Sequence, residues 1–292
     1  MEIKFDGKKA LVTGAGKGIG RAIAKKLVEC GAETYALSRT QSDLDILKKE
    51  VPSINVVQID LQQWDKTRET IAKIGPIDLL INNAGVAKLA KFTEMKKEDL
   101  DYVMDVNFNA VFNVSQVVAK AMVERGEGGS IVNISSAASQ DALMDHAAYC
   151  PSKAAVDMLT KCMALELGPH KIRQILTKQN WSDPAKSEPM LARIPLGKFI
   201  EVEDVVNSVI FLLSDKSAMT TGECVRIDGG LGIRVNSILP TIVFTGFGKR
   251  AWSDSAGPML ARISLGRFAE IDDVVNTVIF TLSDKSAMTN GE

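Results

Sequence analysis

Short apolar runs and longer segments with helical spacing alternate along the first 170 residues of the chain. Residues 9–13 predict a buried strand, and residues 21–28 repeat apolar side chains at the spacing of a helix. Four more strands are predicted at 33–37, 55–59, 77–81 and 130–134, with helices between them. Such alternation predicts an α/β fold, with a doubly wound parallel sheet in a single domain and helices on both faces.

Polar residues follow the predicted strands, and ligands of a parallel sheet bind at these carboxyl ends. A glycine run, Thr13-Gly14-Ala15-Gly16-Lys17-Gly18-Ile19-Gly20, follows the first strand and opens the first helix. Glycines allow a tight turn, and a helix N-terminus offers free N–H groups to a pyrophosphate. A glycine cluster alone fits a plain structural turn equally well, but its position after the first strand favours a Rossmann-type dinucleotide site.

A tyrosine and a lysine four residues apart, Tyr149 and Lys153, would lie on one face of a helix, with Ser136 upstream. A free tyrosine titrates near pH ~10, so a general acid near neutrality needs a pKa lower by roughly 3 units. We expect Lys153 and an oxidised nicotinamide to supply that stabilisation. Taken singly, Tyr149 could be a core residue and Ser136 a strand-end cap.

These motifs, together with Asn82-Asn83-Ala84-Gly85, resemble the short-chain dehydrogenase/reductase family over residues 1–173. The segment Ser38-Arg39-Thr40-Gln41, Lys17 in the glycine run, residues 163–173 and the Trp-Ser-Asp segments resemble the family's dicarbonyl-reducing, tetrameric branch. The resemblance implies that Tyr149 donates a proton, Ser136 polarises the carbonyl, Lys153 holds the ribose, and Asn107 holds a relay water. The catalytic residues it implies are Asn107, Ser136, Tyr149 and Lys153. The implied substrate-binding residues are Ser136, Leu143, His146, Tyr149 and Trp252, although His146 could equally be a helix-entry residue.

The second strand indicates the cofactor. An NAD enzyme places a carboxylate there for the ribose diol, whereas this chain has Ser38-Arg39-Thr40. Arg39 and Lys17 could clamp a 2′-phosphate, which favours NADP(H), or both could be solvated surface charges. The predicted cofactor-binding residues are Thr13, Gly14, Lys17, Gly18, Ile19, Gly20, Ser38, Arg39, Thr40, Asp60, Leu61, Asn83, Ala84, Gly85, Tyr149, Lys153, Pro240, Thr241 and Thr245.

Composition excludes several classes of function. The 292 residues are 46% hydrophobic and carry a net charge of −1, which argues against a nucleic-acid partner. The four cysteines are far apart and the chain has two histidines, so no metal site and reduced cytosolic thiols are expected. The first strand begins close to Met1, and no apolar run approaches the ~20 residues of a membrane span. We therefore expect a cytoplasmic protein without a signal or transit peptide.

The C-terminal third contains a duplication. Residues 189–223 and 258–292 align at an offset of 69 and are identical at 27 of 35 positions. This similarity is too high for an architectural repeat, whose units diverge and recur several times. Residues 235–245 resemble the family's sixth strand and nicotinamide loop, and residues 224–230 resemble its seventh strand. Their order along the chain is therefore reversed.

Two arrangements follow from this reversal. In the first, 174–177 stands in as the sixth strand, and 231–292 is an appendage or strand donor to the domain of residues 1–230. In the second, 174–232 loops out and 233–245 enters the sheet. Loop closure over about 60 residues costs only roughly 3 to 4 kcal/mol, so it does not decide between them. The first is favoured because its contacts are sequential. Whichever helix is displaced should expose an apolar face, formed by Val205, Val206, Val209, Ile210 and Leu213 or by Val274, Val275, Val278, Ile279 and Leu282.

Three functional hypotheses remain at this stage. The first is an NADPH-dependent reductase of small ketoses or α-dicarbonyls, acting as a homotetramer that the duplication perturbs. The second is another short-chain reductase, of the 3-oxoacyl or steroid type. The third is a non-catalytic variant, damaged by the duplication, that binds cofactor or associates with intact subunits.

Overall fold

A computed structural model describes residues 2–140, 142–179, 201–227, 265 and 267–282. Seven strands in this part of the chain form one parallel sheet, in the order β3-β2-β1-β4-β5-β6-β7. The strands are β1 Lys9–Thr13, β2 Glu33–Ser38, β3 Asn55–Gln58, β4 Leu79–Asn82, β5 Gly129–Ile134, β6 Ile172–Gln179 and β7 Cys224–Ile227. All five strands predicted from the first 170 residues are confirmed, with ends within two residues of those expected.

Helices cover both faces of the sheet, as the α/β prediction required. They are α1 Gly18–Glu29, α2 Gln41–Glu50, α3 Trp64–Ile74, α4 Lys97–Met104, α5 Ala110–Arg125, α6 Tyr149–Leu167, α7 Val202–Leu213 and α8 Ile271–Leu282. Alternate residues of β1 face opposite cores, since side chains alternate across a strand. Ala10 and Val12 pack with α1, α2 and α7, whereas Leu11 packs with α3 and α5.

The strand order reverses beside β1, which lies between β2 and β4. At such a point the connections leave in opposite directions, so a crevice opens beyond the strand ends. Thr13 ends β1 and Asn82 ends β4, and both are buried. The glycine run and the Asn-Asn-Ala-Gly motif therefore meet at this crevice.

The described part of the sheet is completed by two strands, β6 and β7, that flank the first copy of the duplicated region. β6 pairs in parallel with β5, and β7 pairs in parallel with β6. The apolar face of helix α7 is buried, and Val205 and Val209 belong to the core on one side of the sheet. The described strands thus follow the first arrangement. Residues 233–245, which the second arrangement places in the sheet, lie outside the described residues, so the boundary at residue 230 stays a prediction.

Helix α8, from the second copy, packs on its own counterpart. Phe280 stacks on Phe211 with ring centroids 4.0 Å apart and planes 3° from parallel. These two phenylalanines occupy the same position in the two copies, 69 residues apart. Helix α8 therefore contacts α7 through residues at equivalent positions of the two copies.

The apolar face of α8 is only partly covered. Val275 is 42% exposed and Ile279 is 49% exposed, whereas their α7 counterparts Val206 and Ile210 are 1% and 6% exposed. The expectation that the second helix exposes an apolar face is confirmed at these two positions. Val274 and Val278 are half-buried, and the side chain of Leu282 lies outside the described residues.

Candidate active site

The glycine turn between β1 and α1 is shaped by close backbone contact. Gly14 has a φ of 65°, and a Cβ there would lie 2.8 Å from the Ala84 Cα. Gly18 has a φ of 57°, yet no heavy atom lies within 4 Å of its Cβ position. The turn is thus packed on the protein side and open at the start of α1. Lys17 precedes this helix and is exposed. An open glycine turn at a helix N-terminus fits the pyrophosphate of a dinucleotide.

Thr13 and Asn83 tie the two crevice strands together. The Thr13 Oγ1 accepts from the backbone N of Asn83 at 3.0 Å and of Ala84 at 3.1 Å. The Asn83 Nδ2 donates to the carbonyl oxygens of Thr13 at 3.1 Å and of Gly14 at 3.2 Å. Both side chains therefore form hydrogen bonds within the protein, and these bonds fix the shape of the turn.

The segment after β2 carries a guanidinium held at the surface. Arg39 is exposed, and its Nη1 donates to the Tyr102 hydroxyl at 3.0 Å. That hydrogen bond raises the pKa of Arg39, so the side chain keeps its charge. Ser38 lies against the glycine turn, since a Cβ on Gly16 would lie 2.6 Å from the Ser38 Oγ. Tyr102 lies on α4, and nothing in the sequence pattern indicates its contact with Arg39.

The predicted catalytic residues come together between β5 and α6. The first turns of α6 carry Tyr149 and Lys153, and the turn after β5 carries Ser136, which hydrogen-bonds Tyr149. The Lys153 Nζ lies 5.9 Å from the centre of the Tyr149 ring and donates to the carbonyl oxygen of Ile134 at 3.0 Å. The spacing predicted from the sequence therefore brings Ser136, Tyr149 and Lys153 into one cluster.

Burial controls the ionisation of this cluster. Burial lowers the pKa of Lys153 to about 8, although the negative charge of Asp157 opposes the shift. Burial also raises the pKa of Tyr149, and the hydrogen bond from Ser136 opposes that rise. The expected lowering of the Tyr149 pKa by Lys153 is therefore not found in this arrangement. The ammonium group points to the Ile134 carbonyl, and the phenol is desolvated, which favours its neutral form.

Asn107 lies in a π-helical turn, Asp105–Asn109, between α4 and α5. Its Nδ2 donates to the Val86 O at 2.9 Å and the Ser152 Oγ at 2.9 Å, while its Oδ1 accepts from the Val86 N at 2.8 Å. A Cβ on Gly85 would lie 3.4 Å from the Lys153 Nζ and 3.6 Å from the Asn107 Oδ1. Asn107 is thus brought next to Lys153, and the Ala84-Gly85 segment joins this cluster to the glycine turn.

The substrate side of the cluster is more open. The His146 ring meets the Tyr149 ring edge-on, with centroids 6.0 Å apart, and the His146 Nδ1 lies 2.6 Å from the Met144 O. Leu143 is 38% exposed and Met144 is 89% exposed. The structure therefore brings His146 to the cluster and adds Met144 to its rim. The predicted contacts Pro240, Thr241, Thr245 and Trp252 lie outside the described residues.

The comparison with known families agrees with this geometry. The family model described as short chain dehydrogenase matches residues 8–178. The chain belongs to the short-chain dehydrogenase family. The resemblance carried by the glycine run, the Asn-Asn-Ala-Gly motif and the Ser-Tyr-Lys set is thereby confirmed, and the chain is an oxidoreductase acting on a hydroxyl or carbonyl group.

This short-chain dehydrogenase is 54% identical over 239 residues to the D-erythrulose reductase of Gallus gallus, covering 78% of the chain and 97% of that relative. It is 52% identical over 240 residues to the L-xylulose reductase of Mus musculus, covering 79% of the chain and 98% of that relative. The expected branch, which contains L-xylulose reductase, is confirmed by these relatives.

A solved structure shares the fold of this short-chain dehydrogenase. The gluconate 5-dehydrogenase of Burkholderia cenocepacia J2315, in complex with NADP and tartrate, matches with a TM-score of 0.74 at 32% identity. The match covers 80% of this chain and 98% of that one. The remainder of this chain is thus additional to a nearly complete short-chain dehydrogenase.

Other classes of site are not found in the described part of this short-chain dehydrogenase. Residues 2–140, 142–179, 201–227, 265 and 267–282 hold no group of three His, Cys, Asp or Glu side chains that could bind a metal ion. Within the same ranges, no helix combines the length and apolar character that crossing a membrane requires. The cluster of Asn107, Ser136, Tyr149 and Lys153 is built from hydroxyl, amide and ammonium groups.

Proposed function

We propose that this protein is an NADPH-dependent carbonyl reductase of small ketoses or α-dicarbonyls, such as L-xylulose or diacetyl. The observation that carries this proposal is the hydrogen bond between Ser136 and Tyr149 beside the buried Lys153. This cluster adjoins the Ala84-Gly85 segment, which also contacts the glycine turn. A proton donor and a cofactor cradle thus share one crevice. The two named reductases of small ketoses support the substrate class.

Each side chain of the cluster has a separate task in this proposal. Bound NADPH supplies the hydride. Tyr149 gives its proton to the carbonyl oxygen, and the raised pKa keeps the phenol protonated at neutral pH. Ser136 donates a hydrogen bond to the same oxygen and polarises the carbonyl. Lys153 holds the ribose hydroxyls, and Asn107 holds a relay water beside it.

The preference for NADP(H) rests on the residues after β2. Ser38, Arg39 and Thr40 contain no carboxylate to accept bonds from a ribose diol, and Arg39 is charged and exposed. We propose that Arg39 and Lys17 bind the 2′-phosphate, and that Asp60 and Leu61 lie beside the adenine. The NADP in the gluconate 5-dehydrogenase complex supports this choice.

Replacing the hydroxyl of Tyr149 tests the reaction. Tyr149→Phe keeps the ring, so NADPH binding should persist while diacetyl reduction falls by at least ~10²-fold, the loss typical of a positioned acid. Tyr35→Phe is the matched control, because its hydroxyl bonds Glu33 at the surface and its loss should leave turnover unchanged. Retained turnover in Tyr149→Phe would remove this residue from the mechanism.

Reversing the charge at Arg39 tests the cofactor. Arg39→Asp removes a phosphate partner and adds an acceptor for a ribose diol, so the preference should shift toward NADH. Lys66→Asp makes the same charge reversal on the exposed side of α3 and should leave the preference unchanged. Equal affinity of the unmutated protein for NADPH and NADH would contradict the proposal.

A non-catalytic role is the second candidate. The predicted nicotinamide contacts Pro240, Thr241 and Thr245 follow β7 in the chain instead of preceding α7. A protein in which these residues do not reach the crevice would bind NADPH without turnover and would act through association with other subunits. Titration of NADPH fluorescence, alongside turnover of diacetyl and L-xylulose, separates the two candidates. Turnover of a 3-oxoacyl or steroid substrate alone would indicate another short-chain reductase.

The remaining proposals concern organisation. We propose that residues 1–230 form the catalytic domain, with 231–292 as an appendage or strand donor, and that subunits form a homotetramer in the cytoplasm. The wide spacing of the four cysteines along the sequence supports a reducing compartment. Sedimentation of the purified chain tests the assembly.

A further inference from the structure

The turn that carries Ser136 is fastened to α6 by a carboxylate. The Ser135 Oγ donates to the Asp157 Oδ1 at 2.6 Å, and the Ser139 Oγ donates to the Asp157 Oδ2 at 2.6 Å. Ser135 precedes Ser136 directly, and Ser139 ends the short helical turn that follows it. One carboxylate thus binds the chain on both sides of Ser136.

The position of Asp157 on α6 relates this turn to the other reacting groups. Tyr149, Lys153 and Asp157 are spaced four residues apart on one helix, so they lie on one face. The backbone of α6 also contacts this turn, because the Ser135 Oγ lies 3.3 Å from the Lys153 carbonyl oxygen. The turn is therefore held against the same face that presents the phenol and the ammonium group.

A carboxylate suits this position better than an amide. It offers only acceptors, so it can accept a hydrogen bond from each of two serine hydroxyls, whereas an amide offers one acceptor and one donor group. Hydrogen bonds to an ionised acceptor are also shorter and stronger than neutral ones. The two 2.6 Å distances fit this description.

We propose that Asp157 is a positioning residue, which aims the Ser136 hydroxyl at Tyr149 and the substrate carbonyl by clamping Ser135 and Ser139. The inference rests on the proposed carbonyl reductase activity. Without the two hydrogen bonds to Asp157, the Ser136 hydroxyl samples several orientations. Loss of orientation in a polarising group lowers turnover, because the oxyanion meets a donor that is no longer in place.

The first measurement separates turnover from cofactor binding. In Asp157→Ala, kcat for diacetyl reduction should fall by about tenfold or more while the NADPH Kd stays within about threefold of its original value. Asp157→Asn and Ser139→Ala each retain one bond of the clamp and should show smaller losses. Glu166→Ala removes an exposed acidic side chain from the same helix and should leave both values unchanged. An unchanged kcat in Asp157→Ala would overturn the proposal.

A double-mutant cycle with Ser136→Ala identifies the residue through which Asp157 acts. If Asp157 works by aiming Ser136, then Asp157→Ala should cost less than about twofold in kcat once the Ser136 hydroxyl is gone. The same fold loss in both backgrounds would mean that Asp157 acts through packing or through its charge on Lys153, which overturns the proposal. If Asp157→Ala does not fold, Asp157→Asn and Ser139→Ala run the same cycle.

Amide exchange reports the clamp without any turnover. The Ala138 N–H donates to the Ser136 Oγ at 3.2 Å, so its exchange rate depends on how well the turn is held. Exchange at Ala138 should accelerate by tenfold or more in Asp157→Ala and remain unchanged in Glu166→Ala. Equal protection in both variants would overturn the clamp. A chain that shows this acceleration but reduces no carbonyl would contradict the proposed function alone.

Discussion

At the scale of single residues, the sequence shows the spacing of the catalytic side chains but not their pKa values. The four-residue interval from Tyr149 to Lys153 correctly predicts their shared helical face. The pKa of Tyr149 shifts upward instead of downward, because burial of the phenol outweighs the opposing hydrogen bond from Ser136. Burial depends on the helices and strands around α6, and a local motif does not contain that information.

The buried ammonium of Lys153 predicts a particular dependence of stability on pH. Its pKa is about 8 in the folded chain and 10.5 in the reference state, so between these values the unfolded chain binds the extra proton. The free energy of unfolding should then rise with pH, by up to about 1.4 kcal/mol per pH unit from this group. Urea unfolding at pH 7.5, 8.5 and 9.5 should show this rise relative to Lys153→Met. Parallel pH profiles for the two proteins would show that Lys153 does not titrate in this range.

Several site contacts were beyond reach of the sequence for a related reason. The Arg39–Tyr102 bond joins residues 63 positions apart, and the Ser135–Asp157 bond joins residues 22 positions apart. Each depends on where separate elements come to rest in the crevice. By contrast, the glycine turn and the strand that precedes it could be predicted, because both follow from local pattern. Residues 240–252 stay predictions, since they lie outside the described residues.

At the scale of elements, strand β6 is joined to helix α7 by a buried arginine. The Arg173 side chain is buried, and burial lowers its pKa to about 10. Its guanidinium donates to carbonyl oxygens at the end of α7, including Leu212 at 2.9 Å and Leu213 at 3.0 Å. Cations stabilise the C-terminus of a helix, so this contact fixes α7 to the strand. The sequence left two arrangements open because the segments that resemble the family's sixth and seventh strands, 235–245 and 224–230, occur in reversed order.

The next residue of β6 departs from what a buried strand requires. Gln174 is 0% exposed, and neither its Oε1 nor its Nε2 has a partner among the described residues. An unpaired buried amide costs about 1 to 3 kcal/mol. The Ile-Arg pair at 172–173 recurs at 233–234, where the next residue, 235, is a valine.

Gln174→Met should therefore stabilise the protein, because it keeps the length of the side chain and removes both polar atoms. We expect a gain of about 1 to 3 kcal/mol in the free energy of unfolding, measured by urea titration. Gln62→Met makes the same change at an exposed position and should shift stability by less than about 0.5 kcal/mol. A loss of stability in Gln174→Met would mean that the buried amide has a partner.

At the scale of the whole molecule, the second copy of the duplicated region follows a seven-stranded sheet that is already formed by strands up to β7. Truncation after Leu231 keeps β6, α7 and β7, so we expect a soluble protein with a cooperative thermal transition. NADPH should still raise its melting temperature, while diacetyl turnover should be weak because Pro240, Thr241 and Thr245 are missing. Deletion of 174–232 removes most of β6 together with α7 and β7, and should give an unfolded product.

Soluble expression and melting with and without NADPH compare the two shortened chains. A stable product from the 174–232 deletion would favour the second arrangement, with 233–245 in the sheet. Two equally unstable products would mean that the segments are exchanged between subunits.

The stacking of α8 on α7 also has a consequence for how the chain is made. Eight of the twelve residues in each helix are the same, so either helix offers the apolar side chains that the site beside α1 and the sheet accepts. During synthesis at ~5–20 residues per second, α7 leaves the ribosome roughly 3 to 14 seconds before α8. Helices form within microseconds, so the first copy fills the site before its competitor exists. Synthesis from the N-terminus therefore favours docking of α7 against α1 and the sheet. In refolding from denaturant both helices are present from the start, so α7 and α8 compete for that one site.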